Sequence, residues 1–120
     1  MTITVDTFTL KSQRLSDGVV LIASDWDEWK NGVVTKKRKV YGAKGQWTLR
    51  FFEGNVDWDS SGAKYLRDKA KSGGTVTLTV NQGDRFSLSA TSCYVVAYSM
   101  DTGLVAGKNA RHFTVTFREV

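Results

Sequence analysis

The chain contains no proline, one cysteine (Cys93) and one histidine (His112) among its 120 residues. With no proline anywhere, its turns must rely on glycine, asparagine and aspartate. A single cysteine excludes an intramolecular disulfide. One cysteine and one histidine exclude the common zinc ligand sets within one chain. No apolar run approaches the ~18 residues of a membrane-spanning helix. The start, Met1-Thr2-Ile3-Thr4-Val5-Asp6, lacks the basic and apolar stretches of a signal peptide, so synthesis and retention in the cytosol are expected.

What is present is ordinary in amount: 41% hydrophobic, 24% charged, with a net charge of +5. That length and apolar share predict one domain over residues 1–120 with a real core. A charge of +5 permits contact with nucleic acid or an acidic surface without requiring it. No internal repeat, linker or low-complexity segment breaks the chain.

Most segments read as strands. Val76, Leu78 and Val80 alternate with threonines, the cleanest period-two pattern in the chain. Trp47, Leu49 and Phe51 form an apolar face, as do Phe113, Val115 and Phe117 of a last strand over Arg111–Glu119. Thr2–Leu10 reads as a strand bent or bulged at Asp6-Thr7, where the apolar parity changes. Gly18–Ser24 is an apolar run expected as a well-buried strand. Arg85–Met100 reads as one long strand, or two joined at a bend. Turns are expected at Gly42–Gly45, Asn81–Asp84 and Asp101–Gly103, the last extending to Gly107–Asn109. One helix is predicted around 60–72. Ala63, Leu66 and Ala70 form its apolar stripe, N-cap candidates lie in Asp57–Ser61, and Gly73-Gly74 is its stop. The expected fold is mainly β: two packed antiparallel sheets, as a sandwich or flattened barrel, with one flanking α-helix.

Two segments do not fit a core. In Lys36-Lys37-Arg38-Lys39, inside the run Gly32–Tyr41, alternation sends Lys36 and Arg38 to one face and Lys37 and Lys39 to the other. An unpaired buried charge is too costly for either face to be interior. This segment is therefore expected as an edge strand or a hairpin arm projecting into water around residues 25–41, or as a strand that meets an acidic partner. Just upstream, Asp25-Trp26-Asp27-Glu28-Trp29 reads as an acidic loop carrying two tryptophans. Asp25, Trp26, Asp27, Glu28, Trp29, Lys36, Lys37, Arg38 and Lys39 are the candidate surface for self-assembly.

No catalytic, metal-binding or cofactor-binding residue is expected. Cys93 lies in an apolar strand, away from the helix N-terminus that would activate a thiol. Asp57 and Asp59 suit a helix cap. Asp25, Asp27 and Glu28 lack the turn glycine of a calcium loop. The glycines of Gly42–Gly45 and Ser72–Thr75 match no phosphate-binding motif. Trp47 reads as core, whereas Trp26, Trp29 and Trp58 suit an oligomer interface or a lid on the core. Beside the basic strand, Trp26 and Trp29 also leave open a nucleic-acid-binding β-barrel.

The segments Gly45-Gln46-Trp47-Thr48-Leu49, Ala63–Gly74 leading into Val76–Val80, and Phe113–Val120, with the arm at 32–41, together span most of the chain. In this order they resemble the tail-tube and distal-tail (baseplate) proteins of tailed phages and related contractile machines. The resemblance implies two packed sheets, one flanking helix and a hairpin that joins neighbouring subunits in a ring. It implies a structural subunit without catalysis, partnered by its own copies and other tail proteins, in a virion tail assembled in the host cytoplasm.

Overall fold

Alternating side chains dominate the structure, a computed structural model that describes residues 2–105 and 108–120. Six antiparallel strands form one sheet: β1 (Thr2–Val5), β2 (Phe8–Lys30), β3 (Val33–Gly54), β4 (Thr75–Asn81), β5 (Ser87–Val105) and β6 (Lys108–Glu119). Their order is β1-β2-β3-β6-β5-β4, and β4 pairs again with β1. The fold is thus mainly β with one helix, as expected. The two packed sheets are not found: a single closed barrel replaces them, because β1 pairs on both sides and joins the ends of the sheet.

The three predicted apolar faces line the barrel. Val76, Leu78 and Val80, then Trp47, Leu49 and Phe51, then Phe113, Val115 and Phe117 are all buried, together with Ile3, Val5 and Cys93. Phe51 and Phe113 are directly paired across β3 and β6, with ring centroids 5.1 Å apart. Such burial is worth roughly 1.5–3 kcal/mol per large apolar side chain.

The helix, α1 (Gly62–Ser72), follows a 3₁₀ turn at Trp58–Ser60. Ser61 caps it, accepting from the Lys64 backbone N–H at 3.1 Å. Gly73, at φ 72°, ends it in the left-handed conformation. Asp57 precedes the 3₁₀ turn instead of the helix, and Asp59 pairs with Lys64 at 3.1 Å. Ala63 and Leu66 are fully buried against the barrel, and Ala70 packs at the margin.

Asp6-Thr7 is neither bulge nor bend. It is the two-residue connection between β1 and β2, with Val5 paired to Phe8 and Asp6 at φ 50°. The Asp6 carboxylate accepts from the Thr77 backbone N–H at 2.8 Å and from the Tyr65 hydroxyl. One side chain therefore ties the first hairpin to β4 and to α1. Two other expected turns are strand. Gly42–Gly45 lies within β3, and Asp101–Gly103 continues β5, each held by an unbroken ladder. Lys108 and Asn109 belong to β6, while Gly107 lies outside the described residues. Asn81–Asp84 does leave the strand, with Gly83 at φ 66°.

Two outcomes follow. Leu66→Ala should cost roughly 2–5 kcal/mol, since the side chain is wholly enclosed. Lys64→Ala removes only an ion pair whose Asp59 partner is 90% exposed, and should stay within about 0.5 kcal/mol. Urea unfolding of both variants measures the difference, and similar losses would reverse the assignment of the helix face.

The Tyr65 phenol is pushed up to about 12, first by its hydrogen bond to Asp6 and then by burial. Its folded value lies above the unfolded value of about 10, so the protonated form stabilises the fold. That contribution should be whole below about pH 10 and disappear as pH rises through about 12. The difference in unfolding free energy between the parent and Tyr65→Phe should shrink across that window. A constant difference from pH 8 to 12 would refute the link.

Candidate functional site

Strands β2 and β3 extend far beyond the barrel. Every residue from Leu21 to Ala43 is exposed, and the molecule measures 71 × 31 × 25 Å. At about 3.3 Å per residue, each side of this arm projects for about 36 Å. Asn31-Gly32 makes its tip, a two-residue turn with φ of 53° and 76° between paired Lys30 and Val33. Both central residues need positive φ, the pattern for which Asn-Gly is favoured.

The expected acidic loop is a correction. Asp25–Trp29 is strand, and it faces the basic run of the same chain. Asp25 pairs with Arg38, Trp26 with Lys37, Asp27 with Lys36 and Trp29 with Val34. The opposite charges therefore meet within the hairpin. Arg38 donates to Asp25 through Nε at 2.6 Å and Nη2 at 3.0 Å, and Lys36 reaches Asp27 at 3.4 Å. The Arg38 guanidinium holds the Asp25 carboxyl below the usual carboxylate range, and Asp25 raises Arg38 in turn.

All nine candidate residues are brought into one ribbon, but its two faces differ. One face carries Ala23/Val40, Asp25/Arg38, Asp27/Lys36 and Trp29/Val34, with a hollow of about 390 Å³ around its two ion pairs. Its charges cancel. The other carries Ser24/Lys39, Trp26/Lys37, Glu28/Thr35 and Lys30/Val33, so three lysines stand against one glutamate.

Gly18–Ser24 is a second correction. The run lies at the base of the arm, where Val19 is 73% exposed and Leu21 50%. Nine of the thirteen exposed large hydrophobic residues among those described fall between Val19 and Tyr41. Beyond Leu10, β2 has no partner on its outer edge, and β3 has none before Gln46, among the described residues. Trp26 and Trp29 sit on this arm and do not reach the core as lids.

The barrel itself holds less chemistry. Cys93 is fully buried on the inner face, and burial pushes its thiol up to about 11. His112 lies on the outer face beside Phe52, at 5.2 Å between centroids, so the wall separates the two groups. A pocket of about 660 Å³, lined partly by Val56, Trp58, Met100 and Arg111, opens between the segment leading into the 3₁₀ turn and strands β5 and β6. Its guanidinium is engaged: Arg111 lies 5.4 Å over the Trp58 ring, donates to the Val56 carbonyl and faces Glu53 at 3.8 Å. Glu53 is buried and accepts from the Ala63 N–H at the start of α1, where the helix dipole favours a carboxylate. This pair of a buried Glu53 and a half-buried Arg111 was missed in the sequence, because only the fold brings 53, 63 and 111 together. Among the described residues, no group of three or more His, Cys, Asp or Glu side chains could hold a metal ion. No helix there is long and apolar enough to cross a membrane. Comparison with protein-family models gives no match to this chain, and a search of curated proteins gives none.

The ion pair at Asp25 should be local. Its carboxyl is most stabilised as the anion above its unfolded value of about 3.9, and that preference fades as pH falls. Arg38→Gln should return Asp25 to the ordinary carboxylate range in an NMR titration, with the barrel's melting temperature unchanged. A barrel that melts several degrees lower would mean that the arm and barrel unfold as one unit.

Proposed function

We propose that the protein is a self-assembling structural subunit, a ring, tube or baseplate component of phage-tail type, and that its arm joins neighbouring copies. The observation that carries this reading is the fully exposed hairpin at Leu21–Ala43. A two-stranded ribbon alone is marginal in water and needs a third strand or a packed face. This one offers two open edges, each a row of backbone groups suited to strand addition. It also concentrates most of the exposed large hydrophobic side chains among the described residues. An apolar ribbon of that kind marks a contact surface.

The face bearing Trp29 and Val34 is the assembly face. Its charges are already neutralised by Asp25–Arg38 and Asp27–Lys36, so covering it leaves no unpaired ion. Trp29, 72% exposed near the tip, is its anchor, the residue type most enriched among dominant interface contacts. Head-to-tail docking of an arm onto the next subunit closes into a ring or continues as a tube.

Sedimentation velocity over a range of concentrations tests this. Discrete higher oligomers are expected from the parent protein. Trp29→Asp with Val34→Asp should return it to monomer with an unchanged melting temperature, since neither residue touches the core. A parent that stays strictly monomeric at high concentration and low salt would remove the proposal.

A further inference from the structure

The second face of the arm has a different chemistry, and assembly on the first face leaves it unused. Trp26 stands directly opposite Lys37, in the cross-strand position where side chains touch. Lys39 lies two residues along β3 and Lys30 two pairs toward the tip. Tyr41 is the extra residue where β3 bulges, because Ala23 pairs with Val40 and Ile22 with Gly42. The Lys39 ammonium sits 5.3 Å from the centre of the Tyr41 ring. Trp26 is 47% exposed and Tyr41 61%. Among the described residues, no carboxylate pairs with Lys30, Lys37 or Lys39, while Lys36 and Arg38 on the opposite face are both paired.

We infer that this face binds single-stranded nucleic acid, with Trp26 and Tyr41 stacking on bases and Lys30, Lys37 and Lys39 contacting phosphates. Same-face residues along a strand lie about 6.6 Å apart, so cation and ring alternate within reach of successive nucleotides. Stacking accepts any base, and the lysines supply the attraction to the backbone. A second copy of this face is a poorer occupant, because its three lysines against one glutamate would meet the same excess of positive charge. A membrane surface calls for apolar and cationic residues on separate faces, and here they interleave.

Fluorescence anisotropy of a labelled oligo(dT), titrated with the full-length protein across salt concentrations, is the test. A duplex of equal length and vesicles of anionic lipid are run beside it. Binding should favour the single strand, with a log–log salt slope of about −2, or about −0.7 for each lysine contact. Lys37→Gln with Lys39→Gln should weaken binding by about tenfold or more and flatten the slope by about 1.4. Trp26→Ala should weaken it by about fivefold or more at unchanged slope. Asp25→Asn with Arg38→Gln preserves net charge on the other face and should leave affinity within about twofold. Absence of binding at low salt, equal losses from the two double substitutions, or tighter binding to duplex or vesicles would each overturn the inference. Sedimentation of the Lys37/Lys39 variant separates this result from assembly. It should keep the parent's oligomeric state while losing nucleic acid. Loss of both together would refute the division of the arm into two faces.

Discussion

Closure of the barrel rests on its shortest strand. The four residues of β1 pair with β2 through Ile3–Leu10 and with β4 through Ile3–Val80. Without them, β2 and β4 would each present an open edge, and Leu78, Val80 and Leu10 would lose their cover. So short a strand cannot hold that place by ladder bonds alone. Asp6 reinforces it. Its backbone N–H donates to the Thr77 carbonyl at 2.9 Å, and its carboxylate takes the Thr77 N–H and the Tyr65 hydroxyl. Position 6 thus joins the first turn, the fourth strand and the helix.

Closure also decides where the molecule can meet others. Where the barrel strands pair on both sides they leave no edge, and the arm is the longest stretch among the described residues with both outer edges open. There each ribbon face is exposed, and neither must be apolar to satisfy a core. One face neutralises itself through cross-strand ion pairs. The other keeps its lysines free beside Trp26 and Tyr41. The basic run Lys36–Lys39 is therefore two surfaces that interleave in sequence and separate in space.

The parts of the fold legible in the sequence were those where burial imposes a period. Val76, Leu78 and Val80, or Phe113, Val115 and Phe117, show period two because one side faces the barrel interior and the other does not. The helix was legible because Ser61, Leu66 and Gly73 mark its start, face and end. The arm's base was not. Val19-Val20-Leu21-Ile22 has the composition of a buried strand, and composition alone cannot distinguish a core from an apolar surface awaiting cover. Asp25–Trp29 was misread for another reason. Its charges suggested a loop, yet the informative signal lay two residues further on, in Asn31-Gly32. Counting outward from that turn places Asp27 opposite Lys36 and Asp25 opposite Arg38. The same count divides the nine candidate residues between two faces. No local pattern carries the Glu53–Arg111 pair, since it exists only through the long-range pairing of β3 with β6.

The direction in which the arm projects is set where it leaves the barrel. Lys44 donates to the Val120 carbonyl oxygen at 2.9 Å, and Arg118 holds Gln46 through Nε at 3.2 Å and Nη2 at 3.0 Å. Between them, Gly45 lies under the Trp47 ring, where an added Cβ would come within 2.5 Å of it. Trp47 is core, so any side chain at position 45 must push either the ring or the strand. The base of the arm is therefore packed and bonded to the barrel, unlike a free hinge. An arm anchored in this way presents its two faces in a fixed direction. Preorganisation of that kind lowers the ordering cost of docking, whichever face is covered.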